Sequence, residues 1–208
     1  MRIAPEGWPF IIVAALMTLA PALAGWWITF IVMALLTIWV IAFFRDPVRD
    51  GPRGDNLVIS PADGKIVSII PIDEPDVLGG QAVRISIFMN VFNVHVNRYP
   101  ATGIITFRRH RPGKFVNAAT EKAALENEQS DVGIRTPRGL MLVRQIAGLV
   151  ARRIITDHEV GAQARQGERM GLIRFGSRVD VFLPAGTPVL VQVGQQARAG
   201  QTVLAEWR

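Results

Sequence analysis

The run Val132-Gly133-Ile134-Arg135-Thr136-Pro137-Arg138-Gly139-Leu140-Met141-Leu142-Val143-Arg144-Gln145-Ile146 decides how most of this chain folds. Two β-rich stretches flank Thr136-Pro137-Arg138-Gly139, where proline pre-sets a bend, so the segment reads as a hairpin. Outward from it, runs of the same kind recur at residues 57–60, 65–71, 82–89 and 103–107, separated by Gly, Pro and Asp. That texture predicts a mainly β domain (α+β in class) built as a sandwich or barrel with few helices. One short helix is expected over residues 120–128, where Ala, Glu, Lys and Leu dominate and Thr120 can cap.

An internal repeat marks the last third. Gly161-Ala162-Gln163-Ala164-Arg165-Gln166-Gly167-Glu168 recurs 33 residues later as Gly194-Gln195-Gln196-Ala197-Arg198-Ala199-Gly200-Gln201, with five of eight positions identical. Each copy reads as turn, strand, turn. Together with Ser60-Pro61-Ala62-Asp63-Gly64-Lys65-Ile66, the copies resemble the hammerhead turns of lipoyl and biotinyl domains. A carrier role needs a modifiable lysine at a hairpin tip, but the only lysines are Lys65, Lys114 and Lys122.

The other end of the chain is of a different kind. Between Glu6 and Arg45 lie 38 residues without a charged side chain, whereas the 164 residues from Arg45 onward carry 22 basic and 16 acidic residues. A single helix of that length would rise about 57 Å, nearly twice the roughly 30 Å hydrocarbon thickness. Two segments fit better, a short spanning or re-entrant one over residues 8–20 and a full one over 26–44, with Pro21 and Gly25 providing the break. Trp8, Trp26, Trp27 and Trp39 include residues suited to the membrane interfaces. The expected organisation is thus a membrane anchor over residues 1–45 and a domain over 46–208. Arg2 before the hairpin and Arg45, Arg49 and Arg53 after it place that domain on the cytoplasmic face of the cell membrane. Ala22-Leu23-Ala24 offers the rival reading of a signal-peptide cleavage site, and a helical pair buried inside the domain is a third. The absence of cysteine excludes disulfide staples and thiolate metal sites, and no metal is expected.

The chemistry centres on Arg174-Phe175-Gly176-Ser177-Arg178-Val179-Asp180. A lone Gly-Ser reads as a turn, but its company changes that reading. With Phe43-Phe44-Arg45-Asp46-Pro47, Ser60-Pro61-Ala62-Asp63-Gly64, Asn93-Val94-His95-Val96-Asn97-Arg98, Pro112-Gly113-Lys114-Phe115, Glu126-Asn127-Glu128 and Gln145-Ile146-Ala147-Gly148, the chain resembles the phosphatidylserine decarboxylases, in their short membrane-associated bacterial and archaeal form.

The resemblance implies a proenzyme that cuts itself between Gly176 and Ser177 into residues 1–176 and 177–208, which stay together as a heterodimer. Ser177 would attack the Gly176 carbonyl, and elimination from the resulting ester followed by hydrolysis would leave a pyruvoyl group, the only cofactor. That carbonyl would form a Schiff base with the serine headgroup and take up the electron pair left by CO₂, giving phosphatidylethanolamine. Asp63 and His95 fall in the segments that match the family's self-processing pair, Asp63 orienting the imidazole and His95 acting as base. Taken alone, Asp63 reads as a turn residue and His95 as a satisfied sheet residue.

Long-form members read Leu-Gly-Ser-Thr and carry a second histidine near the His95 position. Here Phe175 and Arg178 flank the Gly-Ser pair and one histidine is present, so the group that protonates the carbanion is left open, with His110 a second candidate. Arg108, Arg109, His110, Arg111 and Lys114 form the densest basic patch, read as attracting the anionic phospholipid substrate or the membrane surface. Nucleic acid is the weaker reading, since aromatic interleaving is thin. The non-enzymatic alternative is an anchored β adaptor, and a higher oligomer is left open.

Overall fold

The computed structural model describes residues 2–114, 116, 118, 120, 123–148, 153–174 and 176–207. The chain divides into two compact units, Met1–Val48 and Arg49–Arg208.

The first unit holds α1 (Trp8–Leu23), entered through a 3₁₀ turn at Pro5–Gly7, and α2 (Trp27–Phe43), with the two-residue strands β1 (Arg2–Ile3) and β2 (Arg45–Asp46) paired at its open end. Of the two residues expected to provide the break, Pro21 is carried inside α1 and Gly25 ends it. Proline removes a single backbone bond in the last turn, and the true stop is Gly25 in the left-handed region at φ +73. Trp26 N–H donates to Pro21 O at 2.9 Å and Gly25 N–H to Ala22 O at 3.3 Å, the paired bonds of a Schellman cap. Among the described residues the stretch Pro5–Leu23 is consequently the one helical stretch long and apolar enough to cross a membrane, and α2 is the shorter, reversing the expected order. Ile12, Leu16, Ile28, Ile31 and Leu35 are exposed along the pair. The Thr18 and Thr37 hydroxyls meet at 2.8 Å and bond back to the carbonyls of Ala14 and Met33, a polar clasp between apolar helices.

The second unit is built from strands β3 (Leu57–Ile59), β4 (Gly64–Glu74), β5 (Gly80–Met89), β6 (Val96–Arg98), β7 (Gly103–Arg111), β8 (Gln129–Thr136), β9 (Gly139–Ala147), β10 (Ile154–Thr156), β11 (Gln163–Ala164), β12 (Arg169–Ile173), β13 (Ser177–Pro184), β14 (Gln196–Ala197) and β15 (Val203–Glu206), with one helical turn, α3 (Ala123–Glu126). Eight strands form an antiparallel sheet in the order β11-β7-β8-β9-β13-β5-β4-β14, and β10-β12-β6 and β15-β3 form smaller sheets. The expected hairpin is β8–β9, closed by Thr136, whose hydroxyl accepts from the Arg138 and Gly139 amides and donates to the Gly139 carbonyl.

Alternation gives the large sheet two different faces. One carries Ile85, Ile87, Val143, Val179, Val181 and Val132 into the main core. The other is charged: Arg109, Asp131, Arg144 and Asp180 lie directly opposite one another across β7, β8, β9 and β13. These cross-strand charge pairs carry β7 and β8 beyond the runs legible in sequence, because each side chain there finds an opposite charge on its neighbour.

The two repeat copies have equivalent places at opposite edges of this sheet. Gly161 and Gly194 donate to Ile105 and Ile66, Ile105 and Ile66 donate back to Ala162 and Gln195, and Gly167 and Gly200 donate to Tyr99 and Ser60. The partners also align in sequence, Ser60-Pro61-Ala62-Asp63-Gly64-Lys65-Ile66 against Tyr99-Pro100-Ala101-Thr102-Gly103-Ile104-Ile105. Each unit is therefore two segments long, and the second partner segment is not apparent until the strand pairing is seen.

The helix expected over residues 120–128 is shorter. Only Ala123–Glu126 is helical among its described residues, because Lys114 takes the backbone of Glu126 and Glu128 and β9 takes the Glu128 carbonyl. Glu121 and Lys122 of that expectation lie outside the described residues.

Candidate active site

Segments far apart in sequence meet where β13 begins. Ser177, the first residue of β13, lies opposite Met89 of β5 and Ala147 of β9 and is fully buried. Its hydroxyl donates to the Met89 sulfur at 3.3 Å, a weak acceptor that leaves the oxygen lone pairs uncommitted by that bond. Beyond Met89 runs a buried polar chain. Asn97 Nδ2 reaches the same sulfur at 3.6 Å, Gln145 Nε2 donates to Asn97 Oδ1 at 2.8 Å, Thr156 donates to Gln145 Oε1 at 2.9 Å, and the Thr156 and Ser130 hydroxyls meet at 2.8 Å. Such a chain, its members satisfied by one another, rigidifies the wall next to the serine.

Gly176 has φ +68. A Cβ there would meet nothing within 4 Å, so the position demands glycine for its backbone conformation and not for space. The reverse holds at Gly148, the residue after β9. A Cβ on it would overlap the Gly176 carbonyl oxygen.

His95 is fully buried in the segment just before β6. Its Nδ1 is 3.0 Å from the Asn93 carbonyl, which can only accept, so that nitrogen carries the proton. Its Nε2 then holds a lone pair and accepts the Gly176 N–H at 3.3 Å. Two independent bonds thus fix one tautomer and aim the basic nitrogen at the Gly176–Ser177 junction. The turn before it is rigid: Asn90 and Phe92 amides donate to Asn93 Oδ1 and Asn90 Oδ1, and the Asn93 amide donates to the Asn90 carbonyl.

The structure brings His95 to the Gly176–Ser177 junction and gives Asp63 other partners. Its carboxylate accepts from Arg49 Nη2 at 2.6 Å and from the Ala199 amide at 2.8 Å, while the Asn93 carbonyl takes the place expected for it on His95 Nδ1. In the equivalent turn, Thr102 accepts the Gln166 amide at 3.1 Å. A hydroxyl therefore suffices to close such a turn, and the negative charge of Asp63 is additional to that need.

The basic run does not form one patch. Arg109 and Arg111 share a sheet face with Asp131, to which both donate, and Arg109 also pairs with Asp76. Arg108 pairs with Glu159 and donates to the Thr156 and His158 carbonyls. His110 and Lys114, the most exposed of the set, lie near Glu128 and Glu126. Phe175 and Phe115, quoted above in the sequence motifs, lie outside the described residues.

The Glu126-Asn127-Glu128 and Gln145-Ile146-Ala147-Gly148 motifs carry no evident task in the sequence alone. Asn127 is buried, accepts the Val116 amide, and donates to the carbonyls of Val116 and Ala147, the latter directly across from Ser177. A lone buried amide is common in any fold, and nothing local in sequence marks these as belonging to a site.

A family model described as phosphatidylserine decarboxylase matches residues 36–205. The chain is 49% identical over 208 residues to the phosphatidylserine decarboxylase proenzyme of Aromatoleum aromaticum, an alignment that covers 98% of this chain and 95% of that protein.

Proposed function

This chain belongs to the phosphatidylserine decarboxylase family, and we propose that it decarboxylates the serine headgroup of that phospholipid with a carbonyl made from its own Ser177. The observation that carries this reading is the fixed tautomer of His95, with Nε2 at the Gly176 amide and beside the residue that must lose a hydroxyl proton.

In the precursor, His95 Nε2 takes the Ser177 hydroxyl proton as the oxygen attacks the Gly176 carbonyl carbon. The C–N bond of the peptide breaks, an ester to Ser177 Oγ replaces it, and the freed nitrogen takes a proton. Removal of the Ser177 Cα proton then expels Gly176 as a carboxylate, leaving a dehydroalanine amine. Water replaces that nitrogen, which departs as ammonia, and residue 177 becomes a pyruvoyl group. Gly176 supplies the left-handed turn, Gly148 the room for the carbonyl oxygen, and the Met89 side the dry wall around the hydroxyl.

The pyruvoyl carbonyl supplies an electrophile for the substrate amine and a sink for the electron pair left by CO₂. The chain's own residues hold it in place. After the cut, residues 177–208 remain bound, because β13 lies between β5 and β9 and pairs with both, while β14 and β15 pair with β4 and β3. The juxtamembrane linker adds to this grip: Arg53 Nη1 donates to Gly200 O and Gln201 Nε2 to Asp50 O. Asp63 joins the two products through its bonds to Arg49 and Ala199, and the family resemblance also makes it His95's support during cleavage.

The N-terminal apolar helices anchor the enzyme in the cell membrane, with the catalytic unit on the cytoplasmic face as the flanking arginines favour. Contact with anionic lipid falls to His110 and Lys114 in this reading, since they are the most exposed of the set, whereas Arg108, Arg109 and Arg111 are held by Glu159, Asp76 and Asp131.

Mass spectrometry of the purified enzyme tests the reading. The expected result is a small chain of residues 177–208 with a pyruvoyl amino terminus, absent in Ser177→Ala. An intact chain that releases CO₂ from phosphatidylserine would overturn it.

A further inference from the structure

The second residue after the scissile bond, Arg178, carries a group that the mechanism above leaves without a task. Arg178 is fully buried, and so is Asp180, two positions along the same strand face. The guanidinium forks onto the carboxylate, with Nε to Oδ1 at 2.6 Å and Nη2 to Oδ2 at 2.9 Å. Nη2 also donates to Ser86 Oγ at 2.9 Å on β5, and Nη1 donates to the Thr120 carbonyl at 3.3 Å. Arg84 approaches the same carboxylate at 3.8 Å.

A buried ion pair is a poor device for stability alone. Two charges must leave water, and a pair of well-packed apolar residues of similar volume often serves as well or better. What a forked, multiply bonded guanidinium does provide is direction, because its planar donors fit a carboxylate in one geometry. Arg178 is also where direction matters. Its backbone nitrogen is bonded to the carbonyl carbon of residue 177, first in the peptide of the precursor and afterwards in the ketoamide of the cut enzyme. Its side chain points to the opposite sheet face from Ser177, so it touches none of the reacting atoms.

We infer that Arg178, locked by Asp180, Ser86 and the Thr120 carbonyl, is a positioning residue that fixes the plane of the amide after residue 177 in both self-cleavage and decarboxylation. The inference rests on cleavage at Gly176–Ser177. Without the lock the strand would still pair with β5 and β9, but its first residue would lose the anchor that sets its rotation. Small errors of that kind are costly, since a displacement of about 1 Å from reactive geometry reduces rates by roughly 100-fold.

The test compares full-length wild type, R178K and the double variant R178M/D180L. For each, the thermal midpoint is measured, the half-life of the precursor is followed by denaturing electrophoresis, and kcat and KM are determined per pyruvoyl-bearing small chain on phosphatidylserine in detergent micelles. The double variant removes both charges of the fork together, so it is expected to fold, with a midpoint lowered only by what Arg84 loses at 3.8 Å from the same carboxylate. Its precursor should persist roughly 100-fold longer, and its cut fraction should show a lowered kcat at unchanged KM. R178K keeps the charge but loses the fork and should be slowed to a lesser degree. A purely structural role predicts a lowered midpoint with normal cleavage and kcat per folded molecule, and that result overturns the inference. If the double variant does not fold, wild-type cleavage and kcat in R178K overturn it equally. Failure of wild type to cut at all would remove the underlying reading instead.

Discussion

His95 Nε2 accepts the amide hydrogen of Gly176 at 3.3 Å while Nδ1 is held by the Asn93 carbonyl. Both bonds require the same neutral tautomer, so Nε2 presents its lone pair at the junction. His95→Gln should retain the fold and lose cleavage by a factor of about 10²–10⁴, the usual contribution of a positioned base. Denaturing electrophoresis of purified protein checks it, and two chains at the wild-type ratio would remove His95 from the role.

Gly176 and Gly148 make opposite demands, which substitutions separate. At Gly176 the left-handed backbone costs an L-residue about 1–2 kcal/mol while leaving its side chain room. Gly176→Asn, whose residue type visits that region, should therefore cleave faster than Gly176→Val. Gly148→Ala places a methyl against the scissile carbonyl and should stall cleavage. Gly103→Ala, which meets the Arg135 carbonyl in the same sheet, serves as its control and should cleave normally if it folds. Precursor half-lives of the four variants give the ranking.

Asp63 has a built-in comparison in Thr102, which closes the equivalent turn with a hydroxyl. Asp63→Thr should keep the Ala199 amide satisfied and the small chain attached. If the charge serves cleavage, processing of this variant falls at least about tenfold, one step in a barrier of roughly 1.4 kcal/mol. Wild-type processing would reduce Asp63 to a turn residue.

Asn127 holds three backbone groups, two on Val116 and one on Ala147 opposite Ser177. Asn127→Ala strands them in a buried setting, at about 1–3 kcal/mol for an unsatisfied group. A lower thermal midpoint and slower cleavage are expected together. Asn127→Asp keeps the acceptor for Val116 N–H but turns an oxygen toward the Val116 and Ala147 carbonyls, so it should be at least as damaging as Asn127→Ala.

Arg109, through its hydrogen bond to Asp76 first and its charge as well, holds the Asp76 carboxyl below the ordinary 3.8. A depressed folded-state value means that the pair's stabilisation is present above the unfolded value and is lost as pH falls through the folded one. The pair is partly exposed, so the effect is at most about 1 kcal/mol. Urea midpoints of wild type and Asp76→Asn should differ slightly at pH 6 and converge as the pH falls through the depressed folded-state value of Asp76.

The sequence by itself determined the elements that repeat or alternate. The strand runs, the Thr136–Gly139 turn, the two apolar segments and the ordered family motifs are local patterns, readable because a period of two or a 38-residue uncharged stretch does not depend on what lies elsewhere. Only tertiary structure decided the rest. Within the break that Pro21 and Gly25 mark, α1 runs past the proline and stops at Gly25, because the cap needs a left-handed residue and its two closing bonds. Strand alternation separates the basic run onto two sheet faces, and only the tertiary structure supplies its acids, from β8 and from the segments near residues 76 and 159. The site itself joins residues 89, 95, 127, 148 and 177, whose meeting depends on β13 entering between β5 and β9. Distance along the chain carries no information about such a meeting, since strand pairing joins segments of any separation and the hydrogen bonds that fix it exist only after the sheet has closed.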